Sequence, residues 1–392
     1  MPCARPSATN GWPKPGGKLR QYRIALVVGT RPEAIKLSPM AHALADLGEP
    51  PGLLVTGQHP GLELADHGLD GFRAIALGCP GQPDPMLHAD LVRAALNRLL
   101  PLNFPELLVV QGDTSSALGG ALAARELGIP LAHVEAGLRT YDPNLPWPEE
   151  ENRVAIDRLS NLLFAPTGGN AANLRREKLS GRIHITGNSG IDALAGLVGP
   201  LPVRARRRWL PRRQFKLLVT CHRRENWAAG LERLAVALLA LAERRVTADV
   251  VLPPNPGVTE RMHRLLGGRR GISLIPPLSH GATIGAMRAA DLVLSDSGGM
   301  QEEAPALGVP LLVLRDKTER PEGLVTGTME LVGTDPQQII AAVERLRENR
   351  RLLKEMGRPC LPFGDGHAAP HIAKICLDYL EEMEAARRSC RA

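Results

Sequence analysis

Short apolar runs alternate along this chain with longer stretches in which apolar side chains recur every three or four positions. Runs of four to six residues rich in Val, Leu and Ile are typical of strands buried on both faces of a parallel sheet. The longer spacing is typical of amphipathic helices. In the first half, strands are predicted at 24–28, 53–56, 107–111 and 131–135. Their alternation with helices predicts a parallel sheet covered by helices on both faces.

The same pattern restarts after a stretch rich in Pro and Arg near 201–211. Five further strands are predicted, at 215–220, 248–252, 272–275, 292–294 and 310–314. The sequence therefore predicts the α/β class, with two Rossmann-like, doubly wound domains that face a central cleft. In such folds the ligand binds at the carboxyl ends of the strands.

Changes in composition give the expected domain boundaries. Residues 1–21 are rich in Pro, Gly and Lys and are predicted to form a disordered leader. We expect a first domain over 22–203 and a second over 204–369. A last helix over 370–386 is expected to pack back on the first domain.

The amino-acid composition limits the classes of protein to which this chain can belong. Of 392 residues, 44% are hydrophobic and 23% charged, which is typical of a globular protein with ample core. The six cysteines have no metal-site spacing, and no apolar run approaches the ~20 residues of a membrane span. We therefore expect a reduced, cytoplasmic protein. The net charge of +7 suits small anionic ligands, whereas the basic stretch at 204–213 has few of the aromatic residues that nucleic-acid binding needs.

The stretch 295–303, Ser-Asp-Ser-Gly-Gly-Met-Gln-Glu-Glu, follows an apolar strand and leads into a helix. Glycines at a helix start let an anion approach the free N–H groups, so Ser297, Gly298 and Gly299 are candidate phosphate ligands. A carboxylate one turn later, at Glu302 or Glu303, could accept hydrogen bonds from a ribose. An ordinary N-cap with acidic residues in the first turn is the alternative.

Several charged residues come just after other predicted strands, where open α/β sheets form their sites. Candidate acid/base groups are Asp113, Glu135, Glu149 and His222. Each could instead be a turn residue, a helix-start carboxylate or a cap. Arginine and lysine suit phosphate, and those near the predicted cleft are Arg31, Lys36 and Arg320.

Taken together, these segments resemble the non-hydrolysing UDP-N-acetylglucosamine 2-epimerases. The matching runs keep the family order from residue 24 to beyond 330, and they are Gly29–Lys36, Gly112–Thr114, His133–Thr140, Pro146–Glu150 with Asn152 and Arg153, Thr186–Asn188, His222–Asn226, Asp296–Pro305 and Thr318–Glu322. The family fold is the two-domain, GT-B-like arrangement that many nucleotide-sugar glycosyltransferases also use.

The resemblance implies inversion at C2 of a UDP-linked N-acetylamino sugar, by elimination of UDP to a glycal-type intermediate and re-addition. The sugar would be UDP-N-acetylglucosamine or a close relative such as a diacetamido-uronic acid. Asp113, Glu135 and Glu149 would be the acid/base residues, with His222 assisting. Substrate would contact Arg31, Lys36, Arg153, Ser297, Gly298, Gly299, Glu303 and Arg320. Neither metal nor cofactor is implied, and we expect a homodimer without nucleic-acid or membrane partners.

The chain departs from the family pattern at several positions. Cys221 replaces a common Gly before the His-Arg-Arg-Glu-Asn run, and His280 and Thr283 replace aromatic residues of the uracil pocket. At the family's second, activating UDP-sugar site, Gly61 and Pro253 replace a Gln and a His. We therefore predict that this protein lacks ordinary activation by its own substrate.

Other functions remain open on the sequence alone. A hydrolysing 2-epimerase that releases N-acetylmannosamine and UDP is compatible with a lost activating site. A GT-B glycosyltransferase is disfavoured by the acid/base motifs of the first half. A non-catalytic sugar-nucleotide binder would be expected to lose Asp113, Glu135 or His222, and all three are present.

Overall fold

A computed structural model of the chain describes residues 22–102, 105–202, 214–223, 226–227 and 229–390. The predicted leader and the expected boundary between 203 and 204 lie outside these described residues. Two parallel sheets with helices on their faces make up the described structure, which confirms the predicted fold class.

The first domain is built on a seven-stranded parallel sheet with the order β3-β2-β1-β4-β5-β6-β7. Its strands are β1 (Ile24–Val28), β2 (Gly52–Val55), β3 (Ala74–Ala76), β4 (Leu107–Gln111), β5 (Leu131–Val134), β6 (Leu162–Ala165) and β7 (Arg182–Ile185). Its helices are α1 (Arg31–Asp46), α2 (Pro85–Leu99), α3 (Ser115–Leu127), α4 (Glu149–Leu159), α5 (Gly168–Arg176) and α6 (Ser189–Val198). Two short 3₁₀ helices cover Leu64–His67 and Leu100–Leu102.

The second domain is likewise built on a parallel sheet, with six strands in the order β10-β9-β8-β11-β12-β13. Its strands are β8 (Phe215–Thr220), β9 (Val246–Val251), β10 (Ile272–Ile275), β11 (Leu292–Ser295), β12 (Leu311–Val313) and β13 (Met329–Leu331). The helices from here to the end are α7 (Ala229–Glu243), α8 (Pro256–Leu266), α9 (His280–Ala289), α10 (Gly298–Leu307), α11 (Pro321–Val325), α12 (Pro336–Glu348), α13 (Arg350–Met356) and α14 (Ala368–Ser389).

Each sheet has a core on both faces because neighbouring strand residues point in opposite directions. In β1, Leu26 faces the core beside α1 and α14, whereas Val27 faces the core formed with α2 and α3. In β8, Leu217 and Leu218 divide in the same way between two cores of the second domain. Burial on both faces explains why the central strands are continuous apolar runs.

Helices α6 and α14 lie where the two domains meet. α6 contacts α1, α10 and α14, and its Leu194 belongs to a core of the second domain. Asp192 of α6 accepts the backbone N–H groups of Ala368 (3.2 Å) and Ala369 (2.7 Å) at the start of α14. α14 then adds side chains such as Ile372 to the core beside α1. The chain therefore returns to its first domain after completing the second.

Candidate active site

The predicted site residues follow the carboxyl ends of strands that face the cleft. After β4, Gly112 turns the backbone with φ of 68°, and Thr114 caps α3 by accepting from the Ala117 N–H (3.0 Å). This turn presents Asp113. Glu135 directly follows β5, His222 lies two positions after β8 and Ser297 two positions after β11, in line with the general rule for open α/β sheets.

The turn from β11 into α10 forms a cradle, defined here as Ser297, Gly298 and Gly299. Ser297 is the N-cap, and its backbone N–H donates to Ser295 Oγ (2.9 Å). A Cβ added to Gly298 would lie 2.8 Å from Arg320 Nη1, whereas one added to Gly299 would meet no atom of the described chain within 4 Å. Gly298 therefore makes room for a guanidinium, and Gly299 borders open space. The start of a ten-residue helix beside open space suits an anion.

Asp296, a fully buried carboxylate just before the cradle, organises the loop after β8. It accepts the backbone N–H groups of His222 (3.0 Å) and Arg223 (2.9 Å) and the side-chain amide of Asn226 (2.9 Å). Although burial favours the protonated acid, the His222 ring and these donors hold the pKa of Asp296 below its usual range. Asp296 Oδ1 lies 3.3 Å from His222 Nδ1, so a charged carboxylate orients this half-exposed imidazole.

Glu135 follows β5 with a left-handed φ of 73°, and its buried carboxylate receives donors from both domains. Lys36 Nζ lies 2.7 Å from both oxygens, and Arg320 Nη2 lies 2.8 Å from Oε1. The amides of Asn188 (3.2 Å to Oε1) and Gln111 also donate to it. Burial opposes ionisation, but the charges of Lys36 and Arg320 lower the pKa of Glu135 to about 2. Glu135 is therefore a firmly charged, fully bonded carboxylate.

Asp113 and Glu149 have looser surroundings. Asp113 Oδ2 accepts from Nη2 (2.6 Å) and Nε (3.1 Å) of the buried Arg153, while a quarter of its side chain stays exposed. Glu149 Oε1 lies 3.5 Å from Nη1 of Arg223 in the second domain, and its buried Oε2 has no hydrogen-bond partner among the described residues. Burial raises the pKa of Glu149 and the nearby Asp113 charge adds to the rise, against the opposing charge of Arg223.

Two predicted ligands lie at the edges of this cluster. Glu303 is buried on α10, where its Oε1 lies 2.6 Å from His280 Nε2. Arg31 is exposed at the start of α1, and its backbone N–H points at His59 Nδ1 (3.4 Å). Arg31 forms no ion pair among the described residues, so the structure does not bring it into the cluster.

Contacts between the domains bring the remaining candidates together. The pairs are Arg320 with Glu135, Lys36 with Glu302 (3.6 Å), and Arg223 with Glu149. Glu149 therefore contacts the residue that follows His222, and Glu135 is linked to the cradle through Arg320.

Several residues that hold this arrangement are not among the acid/base and ligand residues predicted from the sequence. Glu302, expected at most as a ribose contact, is tied instead to Arg320 Nε (2.6 Å). Glu319 is buried and pairs with Arg315 (2.9 Å) and Arg320, and these charges outweigh burial and keep its pKa well below the usual range. Gln111, the last residue of β4, and Asn188, the N-cap of α6, are further amides with no predicted role. Glu302, Glu319 and Asn188 do lie within the motifs that resemble the family, whereas Gln111 lies in none of them.

The arrangement is equipped for proton transfer beside an anion. It combines a charged carboxylate, a carboxyl group whose pKa burial raises, an oriented imidazole and an open helix start. Across the described ranges, His, Cys, Asp and Glu side chains form no cluster that could hold a metal ion. Within the same ranges, no helix has the length and apolarity to cross a membrane.

Comparisons with known proteins agree with this geometry. The family model described as UDP-N-acetylglucosamine 2-epimerase matches residues 49–377. A UDP-N-acetylglucosamine 2-epimerase from Yersinia pestis is 40% identical over 91% of this chain and 99% of its own length. The crystal structure of the Neisseria meningitidis enzyme bound to UDP-GlcNAc is 34% identical, with a TM-score of 0.83, and covers 91% of this chain and 99% of its own.

A second solved structure, that of the Methanocaldococcus jannaschii UDP-GlcNAc 2-epimerase in complex with UDP-GlcNAc and UDP, is 32% identical with a TM-score of 0.79. It covers 91% of this chain and 99% of its own. The two-domain arrangement is thus GT-B-like, as the resemblance implied. The chain belongs to the UDP-N-acetylglucosamine 2-epimerase family and is an epimerase enzyme.

Proposed function

We propose that this protein inverts C2 of UDP-N-acetylglucosamine, or of a close relative, and returns a UDP-sugar without hydrolysis. The observation that carries the proposal is the 3.5 Å contact between Glu149 of the first domain and Arg223 of the second. It brings a carboxyl group whose pKa burial raises beside Arg223, whose backbone N–H is bound by Asp296 next to the cradle. Acid/base chemistry and diphosphate binding then meet in one cleft.

The proposed reaction is an elimination followed by an addition. A base removes the C2 proton while the C1–O bond breaks, so the C–H electron pair forms the C1=C2 double bond and UDP leaves with the C–O pair. An acid then returns a proton to C2 on the opposite face, and the UDP oxygen bonds C1 again. Atoms and electrons balance without an external oxidant or reductant.

The surroundings of the carboxylates support different roles. We assign proton removal to Asp113, which is paired with one cation and partly exposed. Glu149 suits the group that delivers the proton, because burial raises its pKa. Glu135 is a poor base, because two cations lower its pKa to about 2, and it orients the site instead. In the reverse reaction, Asp113 and Glu149 exchange roles.

The diphosphate contacts come from the second domain. The cradle N–H groups suit the departing UDP, and His222, which follows β8, is held beside the cradle by Asp296. Glu303 is proposed to accept from the ribose, while Lys36, Arg153 and Arg320 supply positive charge at the cleft. Arg31, exposed at the mouth, is proposed to reach the diphosphate from solvent.

One experiment separates this reaction from its alternatives. The protein is incubated with UDP-N-acetylglucosamine in deuterated water and C2 is followed by NMR. We expect deuterium at C2 in a UDP-sugar product. Free N-acetylmannosamine with UDP would identify a hydrolysing enzyme instead, and transfer of the sugar to an added acceptor would identify a glycosyltransferase.

The dependence of the initial rate on UDP-N-acetylglucosamine concentration tests the predicted loss of activation. We expect a hyperbolic curve, and a sigmoidal curve would contradict that prediction.

A homodimer is the assembly that we propose. Helix α2 supports it, since it exposes about half of Met86 and Leu87 and 38% of Leu91. Light scattering should give twice the 42.2 kDa mass of the chain. A single-chain mass at micromolar concentration would contradict the dimer without affecting the proposed reaction.

A further inference from the structure

Four charged side chains form a closed ring between the domains. Lys36 and Glu135 come from the first domain, and Glu302 and Arg320 from the second. Around the ring, Lys36 Nζ contacts Glu135 (2.7 Å) and Glu302 (3.6 Å), while Arg320 contacts Glu135 (2.8 Å) and Glu302 (2.6 Å). Each carboxylate thus touches both cations. We call these four residues the interdomain ring.

The ring is shielded from water. Its side chains are 2% to 11% exposed, and two cations face two carboxyl groups, while Arg320 also contacts Glu319 outside the ring. Buried charges are costly unless each has a partner, so removing one member leaves another without compensation. The ring therefore favours one relative placement of the two domains, the one in which all four contacts form.

Glu302 has surroundings that distinguish it from the neighbouring Glu303. Glu302 Oε1 accepts from Arg320, and its Oε2 faces Lys36 across the domain boundary. Glu303 pairs with His280, which belongs to the same domain. Both glutamates lie on α10 directly after the cradle. Of these two glutamates, only Glu302 has an ion pair with the first domain among the described residues.

We propose that Glu302 is a positioning residue that docks the cradle helix against the acid/base side chains of the first domain. The inference rests on the proposed function for its kinetic consequence, but its structural consequence stands independently. Through Lys36 and Arg320, Glu302 sets how closely the cradle approaches Asp113 and Glu149. Its contacts lie within the ring, so it needs no contact with UDP.

The test compares Glu302→Gln with the matched neighbour Glu303→Gln. The amide of Glu302→Gln can still accept from Arg320, but it turns an N–H donor toward Lys36 and removes a carboxyl group from beside that cation. We expect kcat to fall at least tenfold, while Kd for UDP changes less than threefold because the cradle itself is intact. For Glu303→Gln we expect weaker UDP binding, because the proposed ribose contact is altered while the ring stays intact.

Small-angle scattering supplies a readout that does not depend on activity. Without UDP, Glu302→Gln should have a larger radius of gyration than the parent, and Glu303→Gln should not. If the parent proves inactive on UDP-N-acetylglucosamine, the proposed function fails, but the scattering comparison still decides the docking role. An unchanged radius together with an unchanged kcat overturns the inference, as does a loss of UDP affinity equal to that of Glu303→Gln.

A double variant keeps the inference testable if Glu302→Gln folds poorly. Lys36→Met combined with Glu302→Gln removes one cation and one carboxyl group from the ring. The ion pair between Glu135 and Arg320 remains. The double variant should melt at a higher temperature than Glu302→Gln alone. If the loss of melting temperature in the double variant equals the sum of the losses in the two single variants, Lys36 and Glu302 are not coupled. That result would contradict the proposed role of the interdomain ring.

The pH profile gives a further check on Glu302. The charged groups that face it are Lys36 from α1, Arg320 from the segment before α11, and Glu135 after β5. Burial raises the pKa of Glu302 to about 7, with Glu135 adding to the rise and the two cations opposing it. The ratio of the kcat of Glu302→Gln to that of the parent should therefore rise toward one as the pH falls from 8 to 6. A constant ratio would mean that the charge of Glu302 has no part in docking.

Discussion

Neighbouring residues of the same type have different surroundings at the start of α10. Gly298 lies against the Arg320 guanidinium, whereas Gly299 borders open space. The motif with two glycines predicted an anion site, but it could not say which glycine serves packing and which serves a ligand. That distinction depends on Arg320, which is 22 positions away in the sequence.

Substituting each glycine by alanine should separate these two roles. Gly298→Ala places a Cβ 2.8 Å from Arg320 Nη1, and we expect a loss of about 1–3 kcal/mol in unfolding free energy. Gly299→Ala meets no atom of the described chain within 4 Å, so stability should stay within about 0.5 kcal/mol while UDP binding weakens. Urea unfolding and titration calorimetry measure the two effects. Equal losses of stability would refute the distinction.

Asp113 is the residue whose removal should stop the chemistry most selectively. In Asp113→Asn an amide that cannot take up the C2 proton faces Arg153. We expect deuterium exchange at C2 to be lost, with Kd for UDP kept within about tenfold, or ~1.4 kcal/mol. The exposed Glu151, replaced by Gln, is the control and should retain exchange. Retained exchange in Asp113→Asn would remove it from the catalytic set.

At the level of elements, the central strands were predicted nearly to the residue. β1, β4 and β8 match the predicted ranges because each contains a run of apolar residues buried on both faces. The strands β3, β6, β7 and β13 were not predicted. β6 is interior and fully buried, but an apolar run of only four residues does not distinguish a strand from part of a buried helix. The other three lie at sheet edges, where burial is incomplete, and β7 carries Arg182 and His184 among its four residues. An edge strand forms by pairing with its neighbour, which a local apolar pattern does not reveal.

The junction between α6 and α14 gives a prediction at this scale. Asp192→Ala removes the carboxylate that accepts the N–H groups of Ala368 and Ala369. We expect a loss of about 1–2 kcal/mol in unfolding free energy, typical of a lost helix cap. Asp378→Ala, which removes only an exposed pair with Lys374, should cost less than about 0.5 kcal/mol. Urea unfolding of the two variants measures these losses. Equal losses would mean that Asp192 does not stabilise the start of α14 as a cap.

On the scale of the whole molecule, two doubly wound domains could be predicted from strand–helix alternation. Their relative placement could not. The contacts that fix it join residues such as Lys36 and Glu302, or Glu135 and Arg320, which lie more than a hundred positions apart. No local pattern encodes such a pair. The resemblance supplied the list of candidates, and the structure adds which of them are bonded to each other.

Two buried carboxyl groups predict how stability depends on pH. Burial raises the pKa values of Glu33 and Glu302 to about 7. In the unfolded chain a glutamate titrates at about 4.3. Between these values the folded state holds protons that the unfolded chain has lost, so both groups make stability fall as the pH rises from about 4.5 to 7. We expect a melting temperature roughly 2 °C or more higher at pH 5.5 than at pH 7.5.

Glu33→Gln tests the source of this slope. The variant cannot titrate, and its amide oxygen can still accept the N–H groups of Gly29 and Thr30. Its melting temperature should therefore depend less on pH than that of the parent, whereas the exposed Glu355→Gln should keep the parental slope. A parental melting temperature that increases steadily from pH 5.5 to 7.5 would contradict the assignment.

The return of α14 to the first domain has a consequence for synthesis on the ribosome. The sheet that is made first lacks part of its covering until residues 368–389 have left the exit tunnel, whereas every strand of the second sheet is complete by residue 331. The later half can therefore finish folding before the earlier half. A nonsense mutation that deletes only α14 should leave the second domain folded, expose apolar surface on the first domain, and make that domain a target for chaperones.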